Sequence, residues 1–239
     1  MIDVAIVQLA ASFGNVAGRL ARTRELLAGP PSDIAVLPEA ALTGYVSARG
    51  DFDLTPVAES LNGTTATSLA SLAADKRIFL VAPLVERDGA RCYNTTLVFN
   101  RLGDLVVRYR KRHPWYPERW ASPGEGAHPI FELEGRRIAL ATCFDAHFLA
   151  KEASGVLAAA DALIFPSAWV EDSDGDDEDT RTPLLQDLAR RFSVDVIAAN
   201  WARGDVSVRG QGRSSAILRD GTVAVKAGLD EQRVDASLP

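Results

Sequence analysis

Three side chains in this 239-residue chain have types that could do chemistry together: a thiol, a carboxylate and an amine, each at the end of its own strand-like run. Cys143 follows Ile138-Ala-Leu-Ala-Thr142 and precedes Phe144-Asp145-Ala146-His147. A strand that hands a thiol to a turn before a helix fixes the sulfur at a rim, where backbone N–H groups can face a developing oxyanion. Glu39 ends Leu37-Pro38-Glu39 after an earlier strand, and Lys111 ends Tyr109-Arg110-Lys111 after another. A thiol attacks a carbonyl or nitrile carbon as thiolate, and a free cysteine titrates near about 8.5, so a base must take its proton. A carboxylate enclosed by apolar walls is raised toward neutrality and suits that task. A fixed ammonium in a dry pocket would hold the oxyanion and favour the thiolate. Lys111 lies in a basic run with Arg108, Arg110 and Arg112, of the kind that usually forms a solvated face. Strand alternation puts Tyr109 and Lys111 on one face and Arg108 and Arg110 on the other, which supports one inward amine. The plain alternatives are an inert buried cysteine, a charged strand end and a solvated basic face. Cys92 has no such motif beside it and is assigned to the core.

The elements that must carry these groups alternate along the chain. Val4–Leu9 and Ile34–Leu37 read as short buried strands, and Val16–Ala28 and Thr64–Lys76 as amphipathic helices. Ile78–Val85 is apolar and β-rich, and Thr95–Asn100 with Asp104–Tyr109 forms a hairpin around Arg101-Leu-Gly103. Residues 112–129 hold prolines, glycines and two tryptophans and predict a long structured loop, a frequent site of function. A second hairpin joins Ile130–Leu133 to Arg136–Thr142 around Glu134-Gly135, and His147–Ala160 reads as one helix. Ala162–Phe165 is a strand stopped by Pro166, Pro183–Phe192 a helix, Val194–Ala199 a strand, and Ser214–Leu218 with Thr222–Ala227 a last hairpin turning at Asp220-Gly221. No internal repeat or linker is visible. The pattern predicts an α/β chain with mixed sheets, read as a single domain over residues 1–239.

Composition narrows the function classes. Hydrophobic residues make up 47% and charged residues 24%, and the net charge of −6 argues against a general nucleic-acid binder. There is no apolar run long enough for a membrane span, and the N-terminus is too short and acidic for a signal peptide and reads as a first strand. Two cysteines make a disulfide framework unexpected and point to a reducing, cytoplasmic setting.

The motifs resemble the nitrilase superfamily, the carbon–nitrogen hydrolases. The likeness rests on Asp33-Ile-Ala-Val-Leu-Pro-Glu-Ala-Ala-Leu-Thr-Gly-Tyr45, Tyr109-Arg-Lys111 and Cys143-Phe-Asp145. Val4-Ala-Ile-Val-Gln8, Tyr93-Asn-Thr-Thr96, Phe165-Pro-Ser-Ala-Trp169, Ala198-Ala-Asn200 and Gly212-Arg-Ser-Ser215 support it in order along the chain. The resemblance implies a four-layer α-β-β-α sandwich of two mixed sheets, paired into a homodimer or larger homo-oligomer. It implies that Glu39 is the general base, Lys111 the oxyanion holder and Cys143 the nucleophile, with no metal and no organic cofactor. The loop after the lysine resembles that of aliphatic amidases and formamidases and offers Glu118 as a second glutamate orienting the substrate amide, with Glu125 as competitor. Tyr45, Trp115, Phe144, His147 and Trp169 are the candidate pocket residues, although any one such aromatic is more often ordinary core.

The implied reaction is cleavage of a C–N bond in a small amide or carbamoyl compound, with nitrile hydrolysis and acyl transfer as variants on the same triad. After Cys143-Phe-Asp145 the family usually continues with a basic residue, an aromatic, proline and glutamate. Here the run is Ala146-His147-Phe148-Leu149-Ala150, with His147 where arginine is common, and Arg190-Arg191-Phe192 also departs from the usual pattern. These departures bear on substrate choice and keep alive a catalytically silent, oligomeric binding protein. Other rivals are a Cys143–His147 pair sharing a helix face and a zinc site from Cys143, Asp145 and His147, the latter lacking a second ligand pair. The acidic run from Glu171 to Asp179 reads as a mobile solvated loop or an attractor for a cationic substrate, and fails the pattern of a calcium loop.

Overall fold

Parallel neighbours in a sheet need a crossover between them, and the helices of this chain supply it twice in each of two sheets. The computed structural model describes residues 1–10, 12–47, 49–171, 178–204 and 208–238. In the first half β1 (Ile2–Gln8), α1 (Val16–Leu26), β2 (Ile34–Val36), α2 (Thr64–Lys76) and β3 (Phe79–Asp88) run β-α-β-α-β, with β1, β2 and β3 parallel neighbours. β4 (Arg91–Phe99) and β5 (Leu105–Arg110) extend that sheet antiparallel. The second half repeats the plan. β6 (Ile130–Leu133) lies antiparallel to β7 (Arg136–Leu140). α3 (Ala146–Glu152) and α4 (Ser154–Ala159) cross to β8 (Ala162–Pro166), and α5 (Arg181–Phe192) crosses to β9 (Asp195–Ala199). β10 (Ser215–Ile217) and β11 (Val223–Lys226) then add antiparallel strands. The last strand, β12 (Gln232–Leu238), returns to the first sheet and pairs antiparallel with β1 from Ile2↔Leu238 to Gln8↔Gln232.

The two six-stranded sheets therefore share one pairing pattern: an antiparallel edge strand, three parallel strands, then two antiparallel strands. The sequence shows no repeat because packing constrains only the size and apolarity of core residues, and many sequences satisfy one topology.

Side-chain alternation sorts the strands into layers. Ile2, Val4, Ile6, Ile34, Val36 and Val81 face Ile138, Leu140, Ile164 and Ile197 between the sheets, and Phe79 stacks on Phe131 at 6.4 Å. Ala5, Val7, Ala35, Leu80 and Ala82 face the other way and are covered by α1 and α2 through Leu20, Leu69 and Leu72. Ala139, Leu163, Phe165 and Val196 are covered by α3 to α5 through Leu149, Leu157, Leu185 and Leu188. The result is a four-layer α-β-β-α sandwich.

Three local expectations change. The single helix expected over 147–160 breaks at Ala153 into α3 and α4, where Ser154-Gly155 weakens helix propensity. Pro166 is the last residue of β8 rather than the residue beyond it. β12 was not anticipated, because Gln-Arg-Val-Asp-Ala-Ser-Leu buries little and carries no strong apolar alternation. Of the acidic run, residues 172–177 lie outside the described residues. At its flanks Glu171 pairs with Arg203 at 2.7 Å and Asp179 with Lys226 at 2.5 Å. Among the described residues no helix is long and apolar enough to cross a membrane.

Candidate active site

In α/β sheets ligands gather beyond the carboxyl ends of parallel strands. Here those ends carry Glu39 after β2, Cys143 after β7, Ala168 after β8 and Asn200 after β9. Pro38 stops β2, and Ala40 turns left-handed (φ 47°), so the chain swings away just past Glu39. The indole N–H of Trp201 donates to the carbonyl oxygen of Glu39 at 2.7 Å and fixes that turn.

Lys111 lies at the end of β5, its backbone held by Asn94 O at 2.8 Å. The alternation expected for this strand is what the structure contains: Tyr109 and Lys111 are buried, while Arg108 and Arg110 turn outward to Glu86 and Asp88. The loop after Lys111 folds back on it through Gly124 N to Lys111 O at 2.8 Å. A Cβ at Gly124 would stand 2.0 Å from the Arg110 carbonyl oxygen, so only glycine permits that return. The return brings Glu118 beside the amine. Glu125, the competing candidate, remains exposed.

Glu39, Lys111 and Glu118 are each only 1% exposed. Lys111 Nζ donates to Glu39 Oε1 at 2.7 Å and to Glu118 Oε2 at 2.6 Å. Asn94 Nδ2 bridges the same two carboxylates at 2.7 and 2.6 Å. The Trp115 backbone N–H donates to Glu118 Oε2 at 2.6 Å, and the Ala168 N–H to Glu39 Oε2 at 2.9 Å. Burial raises the Glu39 carboxyl above its ordinary range, and Lys111 offsets only part of that rise. Burial alone would lower Lys111, but Glu39 and Glu118 outweigh it and its net displacement is upward. The cluster holds two carboxyl groups against one ammonium.

Cys143 occupies the turn between β7 and α3 with φ 48°, a left-handed conformation rare for a side-chain-bearing residue and costing roughly 1–3 kcal/mol. Asp145 holds the turn: Oδ2 accepts from Thr142 N at 3.0 Å and from the Tyr109 hydroxyl at 2.7 Å, and Oδ1 accepts from His113 N at 3.0 Å. Its oxygens are thus spent on the scaffold, which leaves the zinc reading without its carboxylate. The Cys143 thiol lies near enough to the Glu39 carboxylate and the Ala168 N–H for both to act on its titration. Burial pushes the thiol well above its usual value, and the Glu39 charge adds to the effect. The resting sulfur is therefore a thiol with a carboxylate nearby.

Cys143 also faces a cavity of about 230 Å³. Tyr45, Trp115, Phe144, His147 and Trp169, the five residues proposed for a pocket, line it together. Among the described residues Ala168, Val170 and Thr180 also line it and were not anticipated. Tyr45 is buried with Glu118 beside its hydroxyl. The His147 ring packs edge-on against Phe144 at 5.0 Å and tilted against Trp169 at 5.6 Å. Asn94 and the Ala168 N–H also escaped functional assignment, and Asp145 was considered only as a zinc ligand. Asn94 sits in the Tyr93-Asn-Thr-Thr96 block, and Asp145 in Cys143-Phe-Asp145, but spacing alone does not show what an amide or a backbone N–H will meet.

A thiol facing a cavity, with a buried carboxylate and ammonium behind it on an α-β-β-α sandwich, is an arrangement suited to nucleophilic chemistry. The carbon–nitrogen hydrolase family model matches residues 3–236. The chain belongs to that family, whose relatives include amidases, nitrilases and formamidases. An (R)-stereoselective amidase of Pseudomonas sp. is 30% identical over 97% of this chain and 83% of its own length. The omega-amidase NIT2 of Danio rerio is 28% identical over 98% of this chain and 87% of its own. Among solved structures, an amidase from Nesterenkonia sp. superposes with a TM-score of 0.86 at 20% identity, over 100% of this chain and 90% of that one.

Proposed function

We propose that this enzyme hydrolyses a small amide or carbamoyl compound through a thioester on Cys143, with Glu39 as base and acid, Lys111 as oxyanion holder and Glu118 orienting the scissile amide. The observation that carries the reading is the position of Cys143, whose sulfur borders the cavity on one side and the Glu39 carboxylate on the other. Glu39 takes the thiol proton as sulfur attacks the carbonyl carbon. The oxyanion takes the third N–H of Lys111, the other two being spent on the carboxylates. Collapse expels ammonia or an amine, protonated by Glu39. A water that gives its proton to Glu39 then attacks the thioester. The acid departs, and Glu39 returns the proton to sulfur.

The family match over residues 3–236 supports reading the chain as one catalytic domain. We also place the enzyme in the cytoplasm, where a reducing medium keeps Cys143 and Cys92 as free thiols, and in a homodimer or larger homo-oligomer. Light scattering in solution tests the assembly.

The test of the chemistry is intact-protein mass spectrometry with a panel of small amides, ureas and nitriles. An acyl adduct on Cys143, absent in Cys143→Ala, together with turnover by the wild type, is the expected result. Turnover retained in Cys143→Ala rejects the nucleophile. Turnover of nitriles alone moves the reaction to nitrile hydrolysis, an amine-dependent product to acyl transfer, and neither turnover nor adduct leaves a silent binding protein.

A further inference from the structure

We propose that the acyl pocket selects neutral, apolar primary amides, with an acyl group the size of a short branched chain or a single ring, and discriminates against acyl chains that end in a carboxylate. The inference rests on the thioester reading above and adds the substrate class.

Size comes from the cavity. Its 230 Å³ corresponds to about eight heavy atoms at roughly 30 Å³ per water of displaced liquid. Isobutyramide and benzamide fall near that count.

Polarity comes from the wall. Among the described residues lining the cavity none is Asp, Glu, Lys or Arg. The Trp169 indole N–H, the one polar atom of its ring system, is already donated to Thr180 Oγ1 at 3.0 Å. Trp169 therefore offers the cavity an apolar face, with Val170 beside it. His147 is engaged through its ring by Phe144 and Trp169.

Charge comes from behind the thiol, where Glu39 and Glu118 outnumber Lys111. A substrate carboxylate would be desolvated beside a cluster with an excess of carboxyl groups, and among the described lining residues no Lys or Arg would compensate it. The nearest rival reader is Arg181. It is 1% exposed, donates from Nη2 to the carbonyls of Gly212 and Arg213, and leaves Nη1 without a hydrogen-bond partner. It does not line the cavity, so an anionic acyl chain would need the wall to open before reaching it.

The experiment compares kcat/KM for isobutyramide, benzamide and succinamate, all primary amides, in the wild type and in His147→Arg. His147 is an exposed helical position on the cavity wall, so an arginine there adds a cation without disturbing the core. In the wild type the neutral amides should exceed succinamate by 100-fold or more, roughly 2.7 kcal/mol at about 1.4 kcal/mol per decade. His147→Arg should narrow that ratio at least tenfold. Succinamate turned over as well as the neutral amides overturns the substrate class while leaving the thioester chemistry intact, and makes Arg181 the reader. No turnover of any of the three, with no adduct on Cys143, overturns the underlying reading and this inference with it.

Discussion

Replacing Lys111 by methionine removes the single ammonium between two buried carboxyl groups and keeps most of the side-chain volume. At an effective dielectric of about 20, contacts of 2.7 and 2.6 Å each correspond to roughly 6 kcal/mol of gross attraction. Most of that repays the desolvation of the ions, and stripping one partner from a buried pair costs about 3–5 kcal/mol net. The loss should depend on pH, with a definite sign. In the wild type burial raises Glu39 and Lys111 restrains the rise. Without Lys111 the carboxyl climbs further, so the folded state binds a proton more tightly than the unfolded chain does. Its stability is then better preserved at low pH and is lost as pH rises through the raised carboxyl value. Lys111 itself is displaced upward, so in the wild type its contribution is complete throughout the neutral range and fails only above the ordinary lysine range. Urea melts of Lys111→Met and wild type at pH 5 and pH 8 should therefore differ by about 3–5 kcal/mol at pH 8 and by clearly less at pH 5. Turnover should fall by about 10²–10³, the usual effect of losing an oxyanion donor. A penalty under about 1 kcal/mol at both pH values would refute the picture of one ammonium clamping two carboxylates.

Further outcomes follow from the same geometry. The raised Glu39 carboxyl places the acid limb of kcat/KM above pH 4.5, because its protonated form cannot accept the thiol proton. Glu39→Gln should lose about 10²–10⁴ in rate together with that limb, and a limb lying below the ordinary carboxyl value would contradict the assignment. Asp145→Asn weakens the bonds that hold the strained Cys143 turn and should cost about 1.5–3 kcal/mol, read as a melting temperature lower by roughly 3–12 °C. Its kcat should fall while iodoacetamide still labels Cys143. Cys92 is buried beside the Ala121 bridge and away from the cavity lining, so Cys92→Ser should keep its specific activity within about twofold even if it melts earlier. A loss matching that of Cys143→Ala would move the nucleophile.

Local pattern and register were legible in the chain because they depend on near neighbours. Helix α2 appears over the expected Thr64–Lys76, since Leu69, Leu72 and Ala73 recur at helical spacing. The inward turn of Lys111 followed from the two-residue period of a strand. Glu39, Lys111 and Cys143 could be singled out because each ends a strand-like run in a distinctive context. β12 escaped because an edge strand with one modestly buried face carries little hydrophobic signal.

What the sequence by itself determined was the set of reactive groups and the strand ends that carry them. Tertiary structure alone decided that they meet. Glu39 and Lys111 lie 72 residues apart in sequence and 2.7 Å apart in space, and Ala168 reaches Glu39 across 129 residues. It also decided that Glu118 rather than Glu125 turns inward, through the close return of the chain at Gly124. The physical reason is that burial, electrostatic neighbours and cavity shape belong to the packing of two sheets and a loop. A sequence fixes the charge of each group, while only the assembled layers fix the dielectric and the partners that tune it.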